Sequence, residues 1–450
     1  MQFLMMRLRR ASVCLSLLTL VSPAAFAQLR VATWNVTLYS SGREAAFARS
    51  VYGVFQGRTF APDVLVCQEL MSQTGVNNFL AILNTAEGSP KDWAAAPFTD
   101  GPDTDSAFFY RTSRVNFIRA VVAARGSTNT GEQPRNTMRY EFRPTGYVAA
   151  AATIAAYSVH LKSGTTSTDQ QRRKLEADRI VADAKTLEAG VHPIVLGDFN
   201  IQTATQAAYV SFVGNAAAPG LFYDPIKQPG SWNNNSAFSY IHTQDPANQV
   251  DDRHDQILIP ATLFDGKGLD FIGDPRTAFT GKTWDNPLHA YRCWGNDGES
   301  YNKKLRTVGN TMVGEEIAQA LITAAGTAGH LPVFMDLKVP PKALFSTTNV
   351  DFGKVRLGEP AVAFVDVWNA ADRAKWGATG VNALTLVWGN DSRVSADGGR
   401  TIPYRRGVPT RYTLTFTPSA QGPVTGSIKV QTDDPDNPEI TVNYTANVWR

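Results

Sequence analysis

Polar side chains with catalytic potential stand at the ends of six short apolar runs in this sequence. The groups that close a run are Asn35 in "RVATWN", Glu69 in "VLVCQE", His160 in "AAYSVH", and Asp198 and Asn200 in "IVLGDFN". The groups that open a run are Asp255 in "DQILI" and His330 in "HLPVF". If the first four runs are strands that point one way and the last two point the opposite way, all seven groups meet at one edge of the fold, where catalytic residues usually collect.

This set of residue types suits metal-assisted hydrolysis of a phosphate ester. Mg²⁺ typically binds through one or two carboxylates, waters and a phosphate, and Glu69 with Asn35 fits such a minimal site. Asp198 can accept a proton from an attacking water, and Asn200 can donate a hydrogen bond to a developing oxyanion. The sequence has no His/Cys cluster suited to zinc, no glycine-rich phosphate loop and no dinucleotide fingerprint.

Each of these residues also has an ordinary structural interpretation. Asn and Asp are common turn formers after strands, a strand-end Glu or His simply reaches solvent, and Asp252 and Asp255 cap a turn beside Arg253. Taken one at a time, the structural interpretation is favoured. Six such coincidences in one chain are much rarer than any one of them, so we favour a single site.

The elements that must position this site are strands and helices of an α/β body. Both-face-buried strands are predicted for "LRVATWN", "DVLVCQE", "TIAAYSVH", "HPIVLGDFN" and "LPVFMDLKV". Helices are predicted for "REAAFARSVYGVF", "GVNNFLAIL", "GEEIAQALITAAG" and a long segment, "STDQQRRKLEADRIVADAKTLEAG", that closes on Gly190. Interleaved helices and buried strands indicate layered α/β architecture.

The chain is predicted to have three parts. Residues 1–27 carry three arginines, a short apolar run and "AFA", which is typical of a secretory signal peptide cleaved after Ala27. Residues 28–339 form the α/β body, and the proline break "VPPKA" leads to residues 344–450, whose short alternating strands predict a small β-sandwich. We therefore expect a secreted or periplasmic protein with no transmembrane segment in the mature chain.

Charge and cysteine content limit the function further. The chain has 43 Lys and Arg against 40 Asp and Glu, and removal of the predicted leader with its three arginines leaves 40 against 40. Bulk charge therefore does not indicate indiscriminate nucleic-acid binding. Cys67 and Cys293 remain after cleavage, and the sequence leaves open whether they pair.

The ordered motifs resemble the endonuclease/exonuclease/phosphatase superfamily, which has a deoxyribonuclease I-like fold. The matching segments are "ATWNV", "VLVCQEL", "AFFYR", "YSVHLKSG", "VLGDFN", "RHDQILI" and "GHLPV", and they span most of residues 29–338. The resemblance implies a four-layered α/β sandwich of two mixed sheets with helices outside. The tail is similar to immunoglobulin-like modules of bacterial secreted proteins, in "FGKVRLGEPAVAFVDVWN" and "TFTPSAQGPVTGSIKVQTDDP".

The resemblance also implies a role for each site residue. The metal-binding positions are Glu69 and, in support, Asn35; the catalytic positions are Asp198 and Asn200 for water and transition state, His160 and His330 for the phosphate, and Asp255 for orienting His330. Gly329 departs from the family pattern, which has an auxiliary aspartate immediately before the histidine. This departure puts full activity in doubt.

These observations lead to a functional expectation with named alternatives. We expect a Mg²⁺-dependent phosphodiesterase (Mn²⁺ or Ca²⁺ as substitutes), acting as a nuclease on extracellular DNA or RNA, and a monomer. The alternatives are a lipid or small-molecule phosphodiesterase or phosphatase of the sphingomyelinase kind, and a non-catalytic binding or adhesion protein. The C-terminal sandwich is expected to contact a surface or another protein.

Five further side chains are left with two interpretations each. Arg135 and Arg139 are suited to phosphate contact or to a solvated strand edge. The aromatic residues Trp232, Phe238 and Tyr240 are suited to stacking on bases or to ordinary packing, which we favour.

Overall fold

A computed structural model describes residues 28–279, 289–377, 379–396, 398–403 and 407–450. The predicted leader, residues 1–27, lies outside the described residues. Within the part described, no helix is both long enough and apolar enough to cross a membrane.

The strands and helices up to residue 338 agree with the predicted α/β class. The strands are β1 (Leu29–Tyr39), β2 (Val64–Leu70), β3 (Trp93–Ala95), β4 (Asp105–Arg111), β5 (Val115–Ala124), β6 (Thr137–Pro144), β7 (Ile154–His160), β8 (His192–Asp198), β9 (Phe222–Tyr223), β10 (Asp255–Pro260), β11 (Asp270–Phe271), β12 (Arg292–Cys293) and β13 (Val333–Lys338). The helices are α1 (Glu44–Tyr52), α2 (Gln73–Thr85), α3 (Ser167–Ala184), α4 (Ala207–Val213) and α5 (Gly314–Ala325).

The five apolar runs become β1, β2, β7, β8 and β13, and the four predicted helices become α1, α2, α3 and α5. Helix α3 begins as its sequence indicates, since the side chain of Thr166 caps it and Asp169 completes a capping box. The predicted end at Gly190 is wrong. Beyond Ala184 the amides of Thr186 and Leu187 bond to carbonyls three residues back, so the chain leaves the helix in a tight turn.

Two mixed sheets form the centre of the α/β body. The first has the order β11-β13-β1-β2-β4-β3, with β12 also paired to β13, and the second has the order β5-β6-β7-β8-β10-β9. Strand β1 is parallel to β2 and β7 is parallel to β8, whereas β13 and β10 run antiparallel to these pairs. The strand directions required for one shared site edge are therefore present.

The sheets pack face to face with helices on the outside. Strands β1 and β2 contact β7, β8 and β10 across the interface, where Val66 and Tyr157 are fully buried. Helices α1, α2 and α5 cover the other face of the first sheet around Phe47 and Trp34, and α3 and α4 pack against the second sheet. This layering agrees with the predicted α/β sandwich. It also sets the distance between the polar residues at the ends of β1 and β2 and those at the ends of β7 and β8.

The C-terminal part is a separate two-sheet sandwich, as its turn-rich sequence predicts. Its elements are β14 (Ala343–Phe345), β15 (Asn349–Arg356), β16 (Ala361–Asn369), α6 (Arg373–Trp376), β17 (Leu384–Trp388), β18 (Val394–Ala396), β19 (Arg400–Ile402), β20 (Thr410–Phe416), β21 (Gly422–Thr432) and β22 (Glu439–Trp449). The sheet orders are β14-β16-β20-β18 and β15-β22-β21-β17-β19, with one apolar core between them. Its immunoglobulin-like kinship stays a prediction, as do the exact domain limits.

The sandwich docks at the end of the sheets where β7 and β8 begin. Asp436 accepts hydrogen bonds of 2.9 Å from the amides of Val148 and Ala149, just ahead of β7. Trp376 is 1% exposed and belongs to the core of the α/β body, where the Arg114 guanidinium lies 4.1 Å from its ring. The sandwich therefore holds the sheet edge opposite to the one at which β7 and β8 end.

We expect Trp376→Ala to lower the free energy of unfolding by about 3 to 5 kcal/mol, because it empties a fully packed site between the two parts. Urea unfolding followed by circular dichroism measures this. Trp449→Ala is the matched control, since Trp449 is 55% exposed, and its unfolding should match that of the wild type. Equal stability of the Trp376 variant would contradict the docking described above.

Candidate active site

All seven predicted site residues lie together where β1, β2, β7 and β8 end. They come from both sheets: Asn35, Glu69 and His330 belong to the first sheet or its loops, whereas His160, Asp198, Asn200 and Asp255 belong to the second. Asp198 of β8 lies opposite His160 of β7 on one side and opposite Asp255 of β10 on the other side. The strand pairing thus sets three of these side chains next to one another.

Asn35 joins the two sheets through its side-chain amide. Its Nδ2 donates to Glu69 Oε1 at 2.9 Å and to Asp198 Oδ2 at 3.2 Å, and its Oδ1 accepts from the Thr37 amide at 3.0 Å. The amide orientation is fixed by these partners, since only nitrogen can donate to two carboxylates. Asn35 is fully buried and positions both carboxylates.

A left-handed turn after Asn35 holds the second oxygen of Glu69. Thr37 and Leu38 have φ of 53° and 46°, and the Leu38 amide donates to Glu69 Oε2 at 2.9 Å. Glu69 itself has φ of 64°. Left-handed backbone is unfavourable for residues with side chains, and its clustering here marks a site whose geometry is imposed by its surroundings.

Asp198 and Asn200 are tied to each other and to the neighbouring strand. Asp198 Oδ1 accepts from the Asn200 amide at 3.0 Å, and Asn200 Nδ2 donates to the Leu161 carbonyl at 3.1 Å. Burial raises the pKa of Asp198, the positive charge of His330 opposes that rise, and Asp255 adds to it. Asp198 is therefore a carboxylate with a greater proton affinity than an exposed aspartate, as a proton acceptor needs.

His160, at the end of β7 in the second sheet, faces the carboxylates of Asp198 and Glu69. Its Nε2 lies 3.4 Å from Asp198 Oδ2 and 3.7 Å from Glu69 Oε1. Its Nδ1 lies 3.4 Å from the Thr104 hydroxyl, which also accepts from Arg135 Nε at 3.0 Å. Burial, and then the charge of Arg135, hold the pKa of His160 well below its usual range. The ring is therefore neutral and donates through one nitrogen only.

His330 forms a buried pair with Asp255. Its Nδ1 lies 2.7 Å from Asp255 Oδ2, and its Nε2 lies 3.7 Å from Asp198 Oδ2. Burial alone lowers the pKa of His330, but Asp255 and Asp198 outweigh burial and raise that pKa to about 9. The imidazole is therefore a cation at neutral pH, suited to a phosphate.

Gly329 occupies a position where a side chain does not fit. A Cβ there would lie 2.0 Å from the Ala325 carbonyl oxygen and 2.6 Å from the Thr37 hydroxyl oxygen. The end of α5 and the left-handed turn of Thr37 therefore fill the space that an aspartate would need. A carboxylate at position 329 is therefore incompatible with the packing observed here.

Arg135 and Arg139, for which the sequence left two interpretations, both form ion pairs. Arg135 is no solvated strand edge, since it lies beside His160 and forms an ion pair of 3.1 Å with Asp103. Arg139 is buried, pairs with Glu141 at 3.0 Å and also bonds Asp183, so neither interpretation holds for it. Within the described residues, Cys67 and Cys293 are buried and are not bonded to each other.

Packing explains the aromatic residues. Trp232 is fully buried, with its ring 5.0 Å from that of Tyr209 and the Arg253 guanidinium 4.9 Å away. Tyr240 donates to the Phe279 carbonyl at 3.1 Å, and Phe238 packs against the core.

Thr104 and His254 lie beside the site but were not predicted from the sequence. Thr104 carries no sequence signal, since it contributes only a hydroxyl from an ordinary loop. His254 is adjacent to Asp255 in "RHDQ", and its ring lies 6.2 Å from that of His330. The signal that could have found it is proximity to a predicted catalytic residue, combined with a side chain able to donate or accept a proton.

The donor set fits a hard divalent cation held mainly by water. No group of three His, Cys, Asp or Glu side chains is placed to enclose a metal within the described part of the chain. Glu69 is the most exposed of the site carboxylates, with 16% of its side chain accessible, and Asn35 keeps it aligned. One carboxylate with a neighbouring amide suits Mg²⁺, which keeps most of its waters, and does not suit zinc.

No family model and no curated protein matches the chain. Solved structures similar to it include the human Nocturnin catalytic domain with bound sulfate (14% identity, TM-score 0.40, covering 70% of this chain and 95% of that one). Another is D. rerio TDP2 complexed with single-strand DNA product (15%, TM-score 0.41, 69% and 99%). A third is an endonuclease/exonuclease/phosphatase from Beutenbergia cavernae (15%, TM-score 0.38, 93% and 99%).

The neighbours thus include proteins of the endonuclease/exonuclease/phosphatase family. Likeness at these identities and TM-scores assigns neither family nor activity to this chain.

We expect Gly329→Ala to lower the free energy of unfolding by about 1 to 3 kcal/mol, because the new methyl meets a helix carbonyl. Thermal unfolding measures the change. Gly131→Ala is the control, since no atom lies within 4 Å of the Cβ position at Gly131. A Gly329→Ala protein as stable as the wild type would mean that the helix end yields easily to an added β-carbon.

In metal-free protein, the His330 ring should titrate near pH 9 by NMR. Because this pKa lies above the ordinary value of 6.5, the bound proton stabilises the fold below pH 6.5, and that stabilisation is lost as the pH rises towards 9. Asp255→Asn should lower the pKa of His330 and flatten the fall in unfolding free energy over this range. The signal of His192, at the opposite sheet edge, should not move; an unchanged His330 titration would contradict the pairing.

Proposed function

We propose that this protein is a metal-dependent hydrolase of phosphodiester bonds, with nucleic acid as its substrate. The observation that carries the proposal is the contact between Asn35, Glu69 and Asp198 across the two sheets, with a neutral His160 and a cationic His330 around them. Carboxylates for a metal and a water, beside donors for a phosphate, are the groups that this reaction needs.

Glu69, supported by Asn35, would hold a divalent cation, Mg²⁺ or in its place Mn²⁺ or Ca²⁺, which when bound polarises a phosphoryl oxygen. Asp198 would orient the attacking water and accept its proton. Asn200 and His160 would donate hydrogen bonds to the non-bridging oxygens, and the positive His330 would face the phosphate, with its orientation held by Asp255. These roles match the protonation preferences described above.

Nucleic acid is the favoured substrate because of the cations around His160. Arg135 Nη1 lies 3.4 Å from the His160 carbonyl, and Lys162 follows two residues later with an Nζ that lies 3.2 Å from Asp169. Phosphate groups on either side of the scissile bond would meet these side chains. A free phosphomonoester offers no such flanking phosphates.

A lipid phosphodiester is the second candidate, favoured by one observation. Leu38, whose amide bonds to Glu69, is 59% exposed, and Met71, two residues after Glu69 in the sequence, is 43% exposed. Exposed apolar side chains at a site rim suit an acyl or sphingoid chain. Loss of all hydrolysis would instead favour the third candidate, a binding or adhesion protein on the same scaffold.

The predicted leader and sandwich complete the proposal. We expect the protein to act outside the cytoplasm as a monomer. Because the sandwich docks at the sheet edge away from the site, it is free to contact a surface or another protein while substrate is bound.

The test is hydrolysis of plasmid DNA, RNA and sphingomyelin vesicles by the purified protein with Mg²⁺ or with chelator. We expect chelator-sensitive cleavage of nucleic acid, and losses of at least about 100-fold for Glu69→Gln and Asp198→Asn, which remove the metal ligand and the proton acceptor. Glu315→Gln and Asp178→Asn are matched controls on exposed helix surfaces and should keep full rates.

Cleavage of sphingomyelin alone would select the second candidate. Absence of chelator-sensitive hydrolysis of any of the three would overturn the enzyme proposal, and full activity of Asp198→Asn would overturn the assignment of the site.

A further inference from the structure

A second carboxylate–imidazole pair borders the His330–Asp255 pair. Asp252 Oδ2 lies 3.7 Å from His254 Nε2, and the His254 ring lies 6.2 Å from the His330 ring. The two pairs differ in exposure: 25% of the Asp252 side chain is accessible, whereas Asp255 is fully buried. In this second pair the carboxyl, not the imidazole, is the group that reaches solvent.

His254 is buried without the hydrogen bonds that such a side chain normally makes. Only 7% of the residue is accessible, and within the described part of the chain neither ring nitrogen has a hydrogen-bond partner. A buried polar group left unpaired is costly, and its presence calls for a role. Its placement beside the proposed phosphate site indicates that the role belongs to the reaction.

The charges around His254 keep its ring neutral. Burial lowers the pKa of His254 to about 4; Asp198 opposes that shift, while His330, Arg173 and His242 reinforce it. A neutral imidazole next to Asp252 does not draw a proton away from that carboxyl as an imidazolium partner would.

Asp252 itself holds its proton unusually well. Burial and the charge of Asp251 raise the pKa of Asp252 to about 6, against the opposing effects of the Asn234 backbone and His330. Such a carboxyl is partly protonated near neutral pH and is accessible, so it is able to give up a proton and regain it from water. A turn-capping role, the ordinary interpretation of this residue, requires neither property.

We propose that Asp252, held beside His254, is the acid that protonates the leaving oxygen of the phosphodiester. This inference rests on the proposed function, and it supplies a donor for the leaving-group step, to which none of the seven predicted residues is assigned. As water adds to phosphorus, its proton passes to Asp198. The bond from phosphorus to the leaving oxygen breaks, and that oxygen keeps the electron pair and takes the proton of Asp252. The products are a phosphomonoester and an alcohol, and both carboxyl groups then exchange protons with solvent.

The test uses an oligonucleotide with one scissile linkage, made with oxygen or with sulfur at the bridging position, in separate 3′- and 5′-bridging versions. A thiolate leaves without protonation, so the substitution bypasses the acid. We expect Asp252→Asn with Mg²⁺ or Mn²⁺ to cut the oxygen linkage at least about 100-fold more slowly than the wild type, and to cut one sulfur linkage at nearly the wild-type rate. His254→Gln should show the same pattern with a smaller loss, because it acts through Asp252.

Asp178→Asn on the exposed surface of α3 is the matched control and should keep wild-type rates on both linkages, and thermal unfolding checks that each variant folds. Equal loss on oxygen and sulfur linkages, or no loss on either, would overturn the role of Asp252 while leaving the proposed function intact. A wild type that cleaves neither linkage would overturn the proposed function, and this inference with it.

Discussion

The hydrogen bonds of one buried amide set the geometry on which the rest of this site depends. Asn35 extends from the first sheet and reaches a carboxylate on each sheet, so the separation of the sheets is fixed where the chemistry is expected. The carboxylates of Glu69, which is partly exposed, and Asp198, which is buried, repel each other, and a donor between them offsets that cost. The apolar interface between the sheets must therefore pack to one thickness for Asn35 to reach both partners.

The two ends of β7 and β8 differ in what they contribute: one end stabilises the fold, and the other carries the proposed active site. The edge at which β7 and β8 begin is covered by the sandwich, with Trp376 sealed beneath Arg114. The edge at which they end carries strained backbone and buried titratable groups. A rigid anchor at one end of the sheets allows the other end to keep groups that would destabilise a protein on their own.

Much of the site could be predicted from the sequence, because the strand pattern fixes where along the sheet each polar residue lies. A polar residue that closes an apolar run lies at a strand end, and parallel neighbours such as β1 and β2 bring Asn35 and Glu69 to the same edge. Residues outside that logic were not predictable. Thr104 and Arg135 reach His160 from loops, where no periodicity constrains them. The end of α3 depended on a local change of hydrogen bonding. Arg139 pairs with the nearby Glu141 and also with Asp183, which lies 44 residues away in sequence. Gly329 could be recognised as unusual, but only the close approach of α5 gives its reason.

The packing around Gly329 has an evolutionary consequence. A carboxylate gained there by one substitution would meet the Ala325 carbonyl and the Thr37 hydroxyl, so the surrounding backbone would have to shift. Such a gain becomes easier only after the end of α5 moves or residue 37 becomes smaller. The acceptable side chain at position 329 therefore depends on residues 37 and 325, and a change at one of these positions alters which substitutions are tolerated at the others.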